Sequence, residues 1–131
     1  MTKVLILAGG KGTRFSEKTI RQPKPLIKVG SRPLIWYIMK HYSNFNLKDF
    51  IVLSGYKSKA FNKEFKKKYY KEWNIKVLNT GLNTETGSRV LRAKKFIEEN
   101  RQSKNYFYLT YGDGLSNCNL KSALKLFKQK K

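Results

Sequence analysis

Lys3 to Ala8 is a nearly continuous apolar run, the pattern of a strand buried on both faces. Phe50 to Leu53, Ile75 to Leu78 and Phe107 to Thr110 read as three further strands. Between them the apolar spacing turns helical. Leu34, Ile38 and Tyr42, with Trp36 and Met39 nearby, form a stripe through about residue 44. Pro33 suits the first turn of that helix, and Ser31 is a candidate cap. Phe61, Phe65 and Tyr69 fall at i, i+4 and i+8 of a basic helix predicted over 58–72, with the aromatics as its core face. Helices are also predicted over 87–99 and 119–131, the last turning Leu120, Leu124 and Phe127 inward.

Strands alternating with helices predict an α/β domain built on a mainly parallel sheet. One domain spans 1–131, with no repeat or linker in the pattern. In such sheets ligands sit beyond the carboxyl ends of the strands. The Gly9–Arg14 loop, Ser54-Gly55, the Asn79–Arg89 segment and Tyr111-Gly112-Asp113-Gly114 all follow strands, so they are expected on one rim. Residues 9–32 form a long loop carrying Pro23 and Pro25, and loops of that length in small domains are usually functional or disordered.

The first of these loops carries Gly9, Gly10 and Gly12 with Lys11, Thr13 and Arg14. Its backbone N–H groups form a concavity for an anion, and its cations suit phosphate oxygens. The spacing fits neither G-x-G-x-x-G nor G-x-x-x-x-G-K-[ST], so the loop alone leaves a plain glycine turn open beside a phosphate cradle. Asp113 follows a buried strand between Gly112 and Gly114. Alone it reads as an Asp-Gly turn; on a rim with a phosphate loop it becomes a ligand for Mg²⁺. Lys24, fixed between Pro23 and Pro25, can offset charge on a phosphoryl group. Asn79 to Arg89 is dense in small polar residues suited to a base and ribose, and Thr84 or Thr86 is a candidate helix cap. His41, the one histidine, lies on a helix away from the rim and reads as structural.

The chain has 131 residues, 40% of them hydrophobic, a globular composition with material for a core. Its net charge of +21 raises the question of a nucleic-acid partner. Lysines outnumber arginines by 23 to 6 and are spread along the chain, which points to solvated faces and weak polyanion binding rather than base readout. The single cysteine, Cys118, excludes an intramolecular disulfide and a cysteine-rich zinc site. With no run of about 18 apolar residues and no leader pattern, a cytoplasmic protein is expected.

Taken together, Leu7-Ala8-Gly9-Gly10-Lys11-Gly12-Thr13-Arg14-Phe15, then Lys24-Pro25, then Gly112-Asp113-Gly114 resemble the sugar-1-phosphate nucleotidyltransferases. Ser16 to Thr19, Trp36 to Lys40, Gly55-Tyr56-Lys57, Asn79-Thr80-Gly81 with Thr86-Gly87, and Thr110 to Gly114 are similar in style to the glucose-1-phosphate cytidylyltransferase branch. The resemblance covers essentially the whole chain and the N-terminal half of such enzymes. It implies a Rossmann-like nucleotide-diphospho-sugar transferase fold. It also implies attack of a sugar 1-phosphate on the α-phosphorus of CTP, or of another NTP such as UTP or dTTP, with pyrophosphate leaving. By carry-over, Leu7, Ala8, Gly9 and Gly10 approach the nucleoside, while Lys11, Gly12, Thr13 and Arg14 hold the triphosphate. Arg14 and Lys24 act at the reacting centre, Thr84, Arg89 and Gly112 contact nucleotide, and Asp113 holds Mg²⁺. Most of the sugar site and a second metal-binding aspartate belong to the family's other half. The implied partners are nucleotide and sugar phosphate, with no specific nucleic acid or membrane, and a homo-oligomer is a further expectation.

Overall fold

Strand β1 (Lys3–Ala8) runs through the middle of a four-stranded parallel sheet, and Val4, Leu5 and Ile6 have no exposed surface. The computed structural model describes residues 2–10, 22–98, 106–114 and 118–130. Lys11, Gly12, Thr13 and Arg14 lie outside the described residues. The other strands of the sheet are β4 (Asp49–Ser54), β5 (Asn74–Asn79) and β6 (Tyr108–Tyr111), and the spatial order is β5-β4-β1-β6. All pairings are parallel, as the alternation of strands and helices predicts.

Register is fixed at the N-terminal edge by three polar residues standing abreast. Lys3, Asp49 and Asn74 are direct cross-strand partners in β1, β4 and β5. The Lys3 ammonium lies 2.6 Å from Asp49 Oδ2, and Asn74 Nδ2 donates to Asp49 Oδ1 at 3.0 Å. Slipping β1 or β5 by one residue would break its contact with Asp49, slipping β4 would break both, and any such slip turns the strand's side chains to the wrong face.

The strand side chains alternate between two cores. Val4, Ile6, Phe50 and Val52 pack with helix α1 (Leu34–Ser43), helix α2 (Ser58–Glu64) and Leu120 of helix α5 (Leu120–Lys130). Leu5, Leu7, Ile51 and Leu53 pack on the opposite face against helix α3 (Thr86–Arg92), Ala93 and helix α4 (Lys94–Glu98). The sheet is therefore a middle layer between helices. The cover does not reach the outer edge of β6, where Leu109 and Tyr111 are 46% and 62% exposed.

Several elements differ from the sequence expectation. Within the span 9–32 lie a 3-10 turn over Lys24–Leu26 and a ribbon pairing β2 (Lys28–Val29) with β3 (Arg32–Pro33). Ser31 is in the ribbon's turn rather than capping α1, whose cap position is Pro33. The basic helix predicted over 58–72 stops at Glu64, and a 3-10 turn follows over Lys68–Tyr70. The cause is Glu64 itself: its buried carboxylate accepts from Tyr69 at 2.9 Å and Tyr70 at 2.8 Å, with Lys67 at 2.9 Å. Residues five and six apart do not share a helix face, so the chain unwinds to bring both hydroxyls onto one acceptor. The helix predicted over 87–99 divides at Ala93, which is fully buried against the sheet. Of the three residues expected to turn inward on the last helix, Leu120 is buried in the core, while Phe127 is 47% exposed and packs its ring edge-on against Tyr106 at 6.0 Å.

Burial pushes the Glu64 carboxyl upward, but hydrogen bonds from Lys67, Tyr70 and Tyr69 outweigh it and hold the group below its ordinary range. A depressed folded-state value stabilises the fold above the unfolded value, and that contribution is lost as pH falls through the folded one. Glu64→Gln is expected to destabilise the chain by about 1–3 kcal/mol at neutral pH. Denaturant unfolding across pH checks this: the gap to wild type should close as pH falls below the ordinary carboxylate range.

Candidate functional site

The matched register brings the strand ends level. Ala8 pairs with Ser54, Ser54 with Asn79, and Leu7 with Tyr111. β1 is followed in the chain by strands on one side, then by β6 on its other side. The loops after β1 and β6 therefore part at the point where open α/β sheets bind ligands. A cleft of about 420 Å³ lies there. Leu7, Ala8, Gly9 and Gly10 form one wall, Lys24 and Pro25 another, and Thr84, Glu85, Thr86 and Arg89 a third, with Tyr111 and Asp113 at the mouth. Seven of the described residues expected to bind nucleotide, together with Asp113, line one space.

Lys24 and Asp113, distant in sequence, meet across the cleft with Nζ 3.6 Å from Oδ2. The turn at Lys24–Leu26 buries Pro25 and Leu26 and leaves the lysine facing the opening. Asp113 is brought up by the tight passage at Gly112, whose N–H donates to Leu7 O at 2.8 Å. A Cβ on Gly112 would fall 3.0 Å from Pro25 and 3.1 Å from Leu7 O, so glycine lets the end of β6 close against both. Gly112 thus sits behind the wall rather than on it. Among the described residues no group of three His, Cys, Asp or Glu side chains gathers to hold a metal. Asp113, with its side chain half exposed, offers one hard oxygen ligand, a donor set that suits a cation otherwise held by phosphates and water.

Arg89 is only 6% exposed, and its terminal nitrogens are turned onto the loop backbone. Nη1 donates to Thr80 Oγ1 and Gly81 O, both at 2.7 Å, and to Ser54 O at 3.3 Å. Nη2 donates to Gly9 O and Leu82 O, both at 3.3 Å. Burial, with Arg92 nearby, lowers its pKa, though a guanidinium stays charged. Neither threonine caps α3. The cap position is Glu85, with no side-chain hydrogen bond; Thr84 Oγ1 instead donates to Thr80 O, and Thr86 is the first helical residue.

Gly55, Thr80 and Gly81, expected on the rim but given no individual role, set its shape. The buried Thr80 hydroxyl accepts from Arg89 and donates to Ser54 O at 2.7 Å. Gly81 has φ of +93°, a region L side chains avoid. A Cβ on Gly55 would lie 2.4 Å from Gly81 O. The available signal was the pair Ser54-Gly55 and Thr80-Gly81, a small residue and glycine after each of two adjacent strands.

An open parallel sheet with a glycine turn, a lysine and a carboxylate meeting at its switch point defines, in class, an α/β protein with a ligand cleft at the carboxyl ends of its strands. Residues 3–131 match the family described as Nucleotidyl transferase, and the chain belongs to that family. It is 34% identical over 148 residues to the glucose-1-phosphate cytidylyltransferase of Salmonella typhimurium, covering 96% of this chain and 56% of the relative. It is 39% identical over 138 residues to the "Probable glucose-1-phosphate cytidylyltransferase" of Bacillus subtilis, covering 90% and 52%. The chain thus spans about half the length of the curated relatives it matches. The fold matches HddC from Yersinia pseudotuberculosis complexed with GMP-PN, with TM-score 0.80, 23% identity, and coverage of 96% and 54%.

Because its Cβ has no room beside Gly81 O, Gly55→Ala is expected to destabilise the chain by about 1–3 kcal/mol. A thermal melt checks this, and an unchanged midpoint would show that the two loops do not touch as described.

Proposed function

We propose that the chain is the nucleotide-binding part of an enzyme that transfers CMP from CTP to a sugar 1-phosphate, glucose 1-phosphate being the first candidate. The sugar-phosphate oxygen attacks the α-phosphorus, the bond to the bridging oxygen breaks, and pyrophosphate leaves. The observation that carries this reading is the meeting of Lys24 and Asp113 at the cleft mouth beside Gly9 and Gly10. Family membership and the named activities of the two curated relatives support it.

Transfer of this kind depends on positioning and on offsetting charge. The bare turn at Gly9 and Gly10 lets the nucleoside approach the backbone. Lys24 places an ammonium beside the reacting phosphate. Lys11, Gly12, Thr13 and Arg14 are assigned to the triphosphate, with Arg14 at the reacting centre. Asp113 is assigned as the protein ligand of Mg²⁺. When bound there, the cation supplies charge neutralisation on the phosphate oxygens. Most of the sugar site is assigned to the part of the relatives that this chain does not cover, so it is expected to bind nucleotide and to turn over poorly alone. No helix among the described residues is long and apolar enough to cross a membrane.

Calorimetric titration of CTP, with and without Mg²⁺, tests the reading. Binding is expected to strengthen with the cation. Arg14→Ala and Lys24→Ala should each weaken it by about ten- to a hundredfold, the worth of one charge-assisted hydrogen bond. No binding at millimolar CTP would overturn the proposal for this chain. Parallel titrations of CTP, UTP and dTTP decide the nucleotide.

A further inference from the structure

Resting on the nucleotide reading above, we propose that Arg89 is a positioning residue: its guanidinium ties together the loops after β1, β4 and β5, and so shapes the nucleoside side of the cleft.

The tie joins segments far apart in sequence. Gly9 O follows β1, Ser54 O ends β4, and Thr80 Oγ1, Gly81 O and Leu82 O follow β5. Four N–H bonds on the two terminal nitrogens serve five oxygens, so these nitrogens are fully committed to the protein. Among the described residues no carboxylate forms an ion pair with Arg89, and its five acceptors are neutral oxygens. A planar fork can bridge several loops at once; a lysine ammonium of the same charge cannot.

The glycines around it form a socket. A Cβ on Gly9 would stand 2.1 Å from Arg89 Nη1, and one on Gly55 would stand 2.6 Å from it. The guanidinium lies where side chains of those residues would otherwise be. Arg92 supports the tie by donating to Thr80 O. The segment so held leads directly into Thr84, Glu85 and Thr86, the third wall of the cleft. Arg89, itself part of that wall, therefore governs its placement relative to Gly9.

Two measurements test this. In the unmodified chain without ligand, NMR of the Arg89 side chain should show separate Nη protons that exchange slowly with water. They should keep their shifts when inorganic tripolyphosphate is added. Calorimetry should then show that Arg89→Lys and Arg89→Gln each weaken CTP binding by about tenfold or more, with tripolyphosphate affinity held within about twofold, since a point charge cannot replace the fork. Averaged, rapidly exchanging Nη protons would overturn the tie. So would Nη shifts on tripolyphosphate addition together with full rescue by lysine, which would make Arg89 a direct phosphate contact. Absence of CTP binding by the unmodified chain, with the Nη signals intact, would remove the nucleotide reading and leave the tie standing.

Discussion

The Lys3–Asp49–Asn74 contact at the N-terminal edge of β1, β4 and β5 governs what happens at the opposite edge. It locks three parallel strands into direct register, so they end level at Ala8, Ser54 and Asn79. A slip of one residue would carry each strand's apolar set to the other face and displace its terminal loop by about 3.3 Å. The glycine turn after β1, Gly55, and the Thr80-Gly81 turn would then no longer meet. The site is a consequence of register more than of any single loop.

Level strand ends create a local problem. The carbonyls of Gly9, Ser54 and Gly81 converge where the ladder has stopped, and buried carbonyls need donors. Arg89, Thr80 and Tyr56 supply them: Thr80 N and Oγ1 both donate to Ser54 O, and Tyr56 N donates to Gly9 O. Fold stability and site geometry share these bonds. On the far side of the cleft the packing is different in kind. There Gly112, Pro25 and Leu7 close together, and two charged side chains, Lys24 and Asp113, are left facing the opening.

The four strands of the parallel sheet were legible in the sequence, β1 and β4 as nearly uninterrupted apolar runs that are buried; β1 matches in full and β4, β5 and β6 to within one residue at each end, while the short ribbon of β2 and β3 was not foreseen. The gathering of Lys24 and Asp113 with Gly9 and Gly10 was legible too, since loops after parallel strands share a rim. What escaped were features set by contacts between distant residues. The helix at Ser58 looked long because Phe61, Phe65 and Tyr69 keep helical spacing, while the demand of a buried Glu64 for two tyrosine hydroxyls is written nowhere in that period. The break at Ala93 arises from its burial against the sheet, and Phe127 stays half exposed because its partner is the ring of Tyr106 rather than the core. The resemblance implies a nucleotide contact at Arg89, but its bonds to Gly9 O, Ser54 O and Gly81 O could not be read from the sequence, because those carbonyls cluster only once three strands are aligned.

The chain spans about half the length of the curated relatives it matches, and the proposal places nucleotide binding in the described cleft. The most direct test of the central claim is a crystal structure of the chain with a non-hydrolysable CTP analogue and Mg²⁺. The account predicts triphosphate lying between the Gly9-Gly10 turn and Lys24, with a cation joining Asp113 to a phosphate oxygen. A nucleotide bound elsewhere, with Lys24 and Asp113 still paired over an empty cleft, would contradict it.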